Sequence, residues 1–551
     1  MLKIKVNDKF LELGKTSISF ELLSPIFNDI GSFSYPFTFP TSSKNRRILE
    51  FPDRINYGKP TKKIHNAEIY INGLLWKRGS LSIKEAGELQ IKANFAVGEG
   101  SYFSKINDIK INELPFNIYF VGEPDRFLFY DIWHNKYPDV DFALFYHRNT
   151  HFTDGLSVPP HLENNLQYFT EFNRFHEIYY YFLPFNPILP FVYVNKVIDK
   201  INSQANIYES YNELKKNEEL KQLVFFNNKA ASQLDTYENN FITGNFWPNN
   251  FLPKIKAGDF FKELEKNFGL YIFFDEYKNA VTYQTFQKIL EKPPTDIDAP
   301  YKLKSIIPAD FSDGFTTEVD DKIIEEKNVV NKKIMEFNYR GSVNSLDNLP
   351  VTAKLNDMYF VDNQGKFYYL SSEYGAWLVA TDFAYPVFRM PAGKRIAKHT
   401  ASLLHTEAAI KGNVSYYGSG SGENKEIPCG FLFYRGLVKS KSGSLGNYFF
   451  VQPLGTAYEQ HPDFEGKYNY SMRWAGSAGL YENFWKRPTS FYNNTRQADF
   501  LIQLSPAQLK NLDFSKPYRF ADANWLIDKI NFTLRNDGGI STATVKAWKI
   551  Q

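Results

Sequence analysis

Cysteine is almost missing from this sequence: one, Cys429, stands in 551 residues. A single thiol makes no internal disulfide and no multi-cysteine zinc or iron–sulfur site, so the fold must hold by packing. An excess of either charge is lacking too. With 64 basic and 61 acidic residues the formal net charge is +3, far from the basic surplus of a dedicated nucleic-acid binder. Long apolar runs are also absent. The most apolar stretch, 182–194, is broken by Pro184, Pro187 and Pro190 and is too short to span a bilayer. In residues 1–13 Lys and Asp interrupt the apolar positions, so a secretory signal is not expected there. No tandem repeat is found.

What is abundant is aromatic. Phe and Tyr number 51 and 36, and aromatic residues make up 17% of the chain. Such side chains suit half-buried pleated surfaces and large contact areas, although an AT-rich genome raises Phe and Tyr as well. The hydrophobic share of 43% and charged share of 23% are those of a folded globular protein. At this length two to four domains are expected rather than one core.

Along the chain, the first hundred or so residues read as an antiparallel meander. Ala67, Ile69 and Ile71 alternate with polar or amphipathic neighbours up to Asn72-Gly73, a dipeptide suited to the positive φ angles of a tight hairpin turn. A strand should follow from Leu74. After a turn at Ala86-Gly87, Leu89, Ile91, Ala93 and Phe95 are expected to share one inward face. Residues 117–190 read as short strands and long loops. Helical spacing then places Val194, Val197, Ile198, Ile201 and Ala205 on one stripe, with a second helix expected over 211–225. A third carries Phe260, Phe261, Leu264 and Phe268 and stops at Gly269. A strand pair over 270–286 follows, then a proline-bearing linker at 291–300. Beyond it, 358–361 and 367–370 read as a hairpin, and 418–425 and 439–446 as polar glycine-rich loops bracketing the apolar run 431–434. The carboxyl end reads as a hairpin, with Ile530, Phe532 and Leu534 facing the same way on one strand and Ala543, Val545 and Ala547 on the other.

The residue types that carry chemistry do not form a recognised set. His134, His147, His151, His161 and His176 cluster with Asp139, Asp141 and Asp154, but His147 and His151 lack the glutamate of a zinc-protease helix because Arg148 follows the first histidine. Cys429 could be served by His399 or His405 as base, but it has no thiol-enzyme signature and reads as a small core residue beside Pro428. Gly418, Gly420 and Gly422 lack the lysine-serine ending of a phosphate loop. The acidic pairs Asp296 and Asp298, Asp320 and Asp321, and Glu325 and Glu326 read as solvated surface, since adjacency in sequence does not set two carboxylates across a cleft. The segment 33–48 mixes aromatic and basic residues. Within it Tyr35, Phe37, Phe39, Arg46 and Arg47 are the candidate subunit contacts.

Several short segments together resemble a known family. Ser34-Tyr-Pro-Phe-Thr-Phe-Pro40, Asn45-Arg-Arg-Ile48 and Ala67-Glu-Ile-Tyr-Ile-Asn-Gly-Leu-Leu75 are similar to the amino-terminal domain of tail or baseplate hub proteins of phages and prophages of Bacteroides-type bacteria. Phe191-Val-Tyr-Val-Asn-Lys-Val197, Phe260-Phe-Lys-Glu-Leu264, Phe431-Leu-Phe-Tyr-Arg-Gly436, Gly479-Leu-Tyr-Glu-Asn-Phe-Trp485 and Leu512-Asp-Phe-Ser-Lys516 continue it in order. The resemblance implies a mainly β chain with an α+β middle and two hub-type, tail-tube-like β-barrel domains carrying insertions. The expected division is an amino-terminal barrel at 1–116, a mixed middle at 117–300, a β-rich insertion with part of a second barrel at 301–480, and a segment completing that barrel at 481–551.

The implied role is a structural virion protein, made in the host bacterial cytoplasm and placed in the phage tail. It would be a homotrimer joining tail tube to tip or spike and surrounding the DNA path without reading sequence. No catalytic, cofactor-binding or metal-ligating residue is assigned, and no cofactor is expected. Many relatives carry a hydrolase or receptor-binding extension after the hub region, and the end at Gln551, directly after an expected strand, argues against a lytic role here. The alternatives are a tail-tip protein gripping glycans through exposed Trp and Tyr, and a carboxylate-based tail glycanase.

Overall fold

The computed structural model describes residues 1–28, 32–54, 64–97, 99–119, 135–145, 188–227, 245–308, 429–439, 451–456, 466–472 and 477–551, with some short strands between these stretches. The protein is mainly β, with α+β parts and a large curled, largely antiparallel sheet.

The amino-terminal region supplies β1 (Leu2–Val6), β2 (Lys9–Phe10), β3 (Ile18–Leu23), β4 (Ser32–Ser34), β5 (Phe37–Pro40), helix α1 (Ser43–Ile48), β6 (Ile64–Ile71), β7 (Leu74–Ala86), β8 (Gln90–Val97) and helix α2 (Glu99–Ile106). The middle adds α3 (Val194–Gln204), β9 (Tyr208–Asn212), β10 (Leu223–Asn227), α4 (Ala257–Phe268), β11 (Leu270–Asp275), β12 (Ala280–Thr285) and α5 (Phe286–Glu291). Then come β13 (Thr295–Asp296), β14 (Tyr301–Pro308), β15 (Cys429–Lys439), β16 (Val451–Thr456), α6 (Lys486–Asn494), β17 (Arg496–Ile502), β18 (Tyr518–Phe520), β19 (Ala523–Leu534) and β20 (Ala543–Ile550).

Among the described residues fourteen strands form one sheet, whose main path runs β2, β1, β6, β7, β8, β4, β3, β19, β20, β17, β14. Strand β5 pairs with β8, and β13 joins through β18 to β19. The two ends of the chain therefore share a wall. Its seam is the β3–β19 pairing, with Ile18 opposite Leu534, Phe20 opposite Phe532 and Leu22 opposite Ile530. Alternation puts Ile4, Phe20, Ile69, Phe95, Ile530 and Val545 into one continuous buried cluster, the core under this wall. At the seam the Phe20 ring lies 5.8 Å from Phe532 and 5.0 Å from Trp76.

A second cluster fills the α+β middle and reaches β15. In that core Tyr283 donates to Asn202 Oδ1 at 2.8 Å, and its hydroxyl lies 2.8 Å from that of Tyr102, which satisfies polar groups that burial would otherwise leave costly. A third, smaller cluster joins middle to wall: Phe273 of β11, Phe286 and Ile289 of α5, and Phe491 of α6 pack on Leu526 and Trp548, residues of β19 and β20.

Local rules account for many elements. Asn72 and Gly73 take φ of 51° and 82° between β6 and β7, as the hairpin turn requires. Gly269 caps α4 at φ 58°, its N–H reaching Glu265 O at 2.6 Å. Val194, Val197, Ile198 and Ile201 are buried on α3, the pair 358–361 with 367–370 is antiparallel, and the terminal hairpin buries both expected faces.

Three expectations need correction. Leu89 is exposed at 84%, because it sits in the turn before β8 rather than on the inward face shared by Ile91, Ala93 and Phe95. Residues 211–225 are not one helix: β9 ends at Asn212, a short helix Glu213–Lys216 is capped by the Asn212 side chain, and β10 begins at Leu223. The apolar run Leu223 to Phe226 is claimed by pairing with β15, which overrides its helical spacing. The segment 291–300 contributes β13, whose Asp296 pairs with Arg519 at 2.6 Å, so it is held in register rather than serving as a free linker.

Candidate assembly surface

Among the described residues the main path of the wall ends in two edge strands, β14 and β2. At one end β14 pairs with β17 alone among the described residues, and Tyr301, Leu303 and Ile306 are exposed at 49%, 45% and 56%. At the other end β2 pairs with β1 alone among the described residues, and the exposed Phe10 ring rests edge-on against Tyr70. An edge strand presents unpaired N–H and C=O groups to any chain that can complete the ladder. Apolar side chains on such an edge add contact area.

The side of the seam away from the core is a polar ladder. Glu21 faces Lys529 at 3.6 Å and accepts from the Tyr35 hydroxyl, Ser19 Oγ lies 2.8 Å from Thr533 Oγ1, and Asp528 faces Lys546 at 3.6 Å. The Glu21 carboxylate holds the Tyr35 hydroxyl above its ordinary range. Charges of both signs alternate here, so this surface does not concentrate positive potential.

Of the candidate contact residues, the structure separates two kinds. Phe37 and Phe39 lie in the core, at 5% and 1% exposure, because β5 turns their side chains inward against β8; they are packing residues of the wall. Tyr35 is exposed, Arg47 is exposed at the end of α1, and Arg46 is half-buried in an ion pair with Asp53 at 2.8 Å. The nearby Asn45 is the structural centre of this segment. Its Nδ2 donates to Glu12 O and Pro40 O, both at 2.8 Å, and its Oδ1 accepts from Glu12 N at 2.9 Å.

Asp141 accepts from Tyr119 at 3.1 Å and faces Lys196 at 3.1 Å. Asp296 is engaged by Arg519, and Asp298 is exposed. Cys429 opens β15 opposite Asn227. His147 and His176 lie in short strands described in backbone alone. His134, His151, His161, Asp154, His399, His405, Gly418, Gly420, Gly422, Asp320, Asp321, Glu325 and Glu326 lie outside the described residues. Among the described residues no group of three or more His, Cys, Asp or Glu is placed to hold a metal, and no helix is long and apolar enough to cross a membrane.

No family model and no curated protein matches the chain. Among solved structures it is similar to the 43 kDa tail protein of prophage MuSo2 from Shewanella oneidensis, at 9% identity and a TM-score of 0.31 over 99% of this chain and 95% of that one. It is also similar to the tail protein from Neisseria meningitidis MC58, at 7% identity and a TM-score of 0.33 over 100% of this chain and 95% of that one.

A cleft of about 470 Å³ opens where β7, the β11–β12 turn and the segment 510–516 meet. Burial pushes the carboxyl of Glu276 in that cleft up to about 7, against the opposing pull of Lys77. In sequence, Asp275-Glu-Tyr-Lys278 reads only as a polar turn, and its signal, an acid beside a tyrosine at a hairpin tip, is too common to single out.

Proposed function

We propose that this chain is a structural subunit of a phage tail, of the baseplate-hub type, and that three copies close into a ring between the tail tube and the tip or spike, around the path of DNA. The observation that carries this reading is the wall itself, a curved sheet built from both ends of the chain and left open at β2 and at β14. Two unlike edges on one subunit favour a head-to-tail contact, and such contacts close into a ring when the rotation divides a full turn. The residues 1–116 and the strands after Arg496 then act as two wall pieces, with the middle held outside them by the aromatic cluster on Leu526 and Trp548. The mixed charge of the ladder at Glu21, Lys529, Asp528 and Lys546 suits a surface that lets DNA pass without gripping it. We assign the chain no covalent chemistry, and place it in the assembled tail after synthesis in the host cytoplasm.

The edge tests the proposal. Leu303→Lys with Ile306→Lys puts two charges on β14, where neither native side chain is buried, so folding should be unchanged. Sedimentation of the purified protein is expected to show trimers for the native chain and monomers for the double variant. Trimers that persist unchanged in the variant would overturn the edge contact.

A further inference from the structure

The two edge strands differ in which side chains accompany their outward main-chain groups, and that difference limits how they can meet. Along an antiparallel ladder, residues alternate between those bonded to the partner strand and those whose N–H and C=O point the other way. On β2, Leu11 N–H reaches Ile4 O at 2.8 Å, so Leu11 faces β1 while Phe10 and Glu12 face outward. The Asn45 side chain fits the same phase, because it takes up both main-chain groups of Glu12. Phe10 N–H and C=O have no partner among the described residues. On β14, Gln503 N–H reaches Pro300 O at 3.0 Å, so Lys302 faces β17 while Tyr301 and Leu303 face outward.

Side-chain faces then decide the direction. Tyr301 and Leu303 stand opposite Ile502 and Phe500, both buried in the wall core, so they lie on the core face and yet are exposed. The apolar layer under the wall thus runs on past its last strand. Phe10 is the reverse case. It stands opposite Lys5, on the face away from the core, where its ring meets Tyr70 and Lys3. Antiparallel addition would set Phe10 opposite Tyr301 or Leu303 and join the outer face of one copy to the core face of the next. Parallel addition sets an outward residue of one strand between two outward residues of the other, opposite the inward residue that separates them. Phe10 then lies opposite Lys302, and core faces meet core faces.

We propose that β2 of one copy adds in parallel to β14 of the next, with Phe10 opposite Lys302, so that the wall and its core run on from subunit to subunit. This contact rests on the ring reading above and adds its direction and register. Phe10 N–H donates to Tyr301 O, and Leu303 N–H donates to Phe10 O. On the core face Leu11 comes beside Leu303. On the outer face the Phe10 ring comes beside the Lys302 ammonium, and Glu12 comes level with Lys304. The charges match there: Glu12 and Lys304 are exposed, of opposite sign, and without an ion pair among the described residues. Because Asn45 closes the ladder beyond Phe10, each contact is short, and closure of a ring lets the contacts reinforce one another.

Paired cysteines read direction and register together, and the native chain, with Cys429 as its single thiol, supplies the blank. Phe10→Cys with Lys302→Cys puts two thiols on one face of neighbouring strands, within the span of a disulfide, and mild oxidation should give covalently linked chains on a denaturing gel. Phe10→Cys with Tyr301→Cys puts them on opposite faces and should stay unlinked. Linking of the second pair and not the first would show antiparallel addition and overturn the proposal. Exchange of charge is an independent check. Glu12→Lys and Lys304→Glu should each weaken assembly roughly tenfold in sedimentation, and the two together should restore it; a double variant as weak as the single ones would overturn the register. Trimers in which neither cysteine pair links would overturn this contact and leave the ring reading standing, whereas a chain that stays monomeric would overturn both.

Discussion

Replacing Phe20 by Ala probes the joint between the two ends of the chain. Phe20 is fully buried on β3, opposite Phe532 of β19, and its ring also meets Trp76 at 5.0 Å and Phe95 at 6.4 Å. Truncating a buried phenylalanine removes its transfer energy and leaves a void, at about 3–5 kcal/mol. The upper part of that range applies here. Strand β3 is held by β4 on one side and β19 on the other, so the backbone cannot collapse into the space. A loss of about 4 kcal/mol raises globally limited amide exchange by about a thousandfold. Hydrogen exchange read by mass spectrometry should show this acceleration in β6 and in β20 alike, although those strands belong to opposite ends of the sequence. Acceleration confined to the amino-terminal strands, or a loss below about 1 kcal/mol, would refute the reasoning that one wall spans both ends.

Glu276 makes stability depend on pH. Its folded value of about 7 lies above the ordinary 4.5, so it binds a proton more tightly when folded. Its contribution is therefore complete below about pH 4.5 and is lost as pH rises through about 7. Relative to Glu276→Gln, the native chain should lose about 3 kcal/mol of unfolding free energy between acid and alkaline pH, measured by urea titration at several pH values; parallel curves for the two proteins would contradict this. Asn45→Ala strips the partners from Glu12 N, Glu12 O and Pro40 O, and at about 1 kcal/mol for each hydrogen bond it should cost roughly 3 kcal/mol. A urea midpoint indistinguishable from the native one would show that the segment 33–48 is not anchored through this side chain.

Elements governed by near neighbours were legible in the sequence. Asn72-Gly73 needs only its own two φ angles, α3 and α4 need only spacing along one helix, and Gly269 needs only the turn it ends. Where distant pairing decides, the sequence was silent. The alternation of Ile18, Phe20 and Leu22 marks a strand but not its partner, which lies about five hundred residues away, at Leu534, Phe532 and Ile530. The same limit turned 211–225 from an expected helix into β9, a short helical turn and β10, because β15 recruits Leu223 to Phe226. Phe37 and Phe39 stand out in sequence as aromatics in a basic segment, while alternation in β5 sends them into the core. The cleft was hidden for a related reason: β7, the β11–β12 turn and the segment 510–516 are remote in sequence, and only folding brings them together.

The central claim is that the open edges of the wall join copies of this chain into a closed ring. Mass measurement of the purified 551-residue chain by sedimentation, followed by electron microscopy of the same sample, tests it most directly. A species of three chains with a three-fold ring outline and a central opening is expected. A chain that stays monomeric at high concentration, or that forms a closed two-fold dimer, would contradict it.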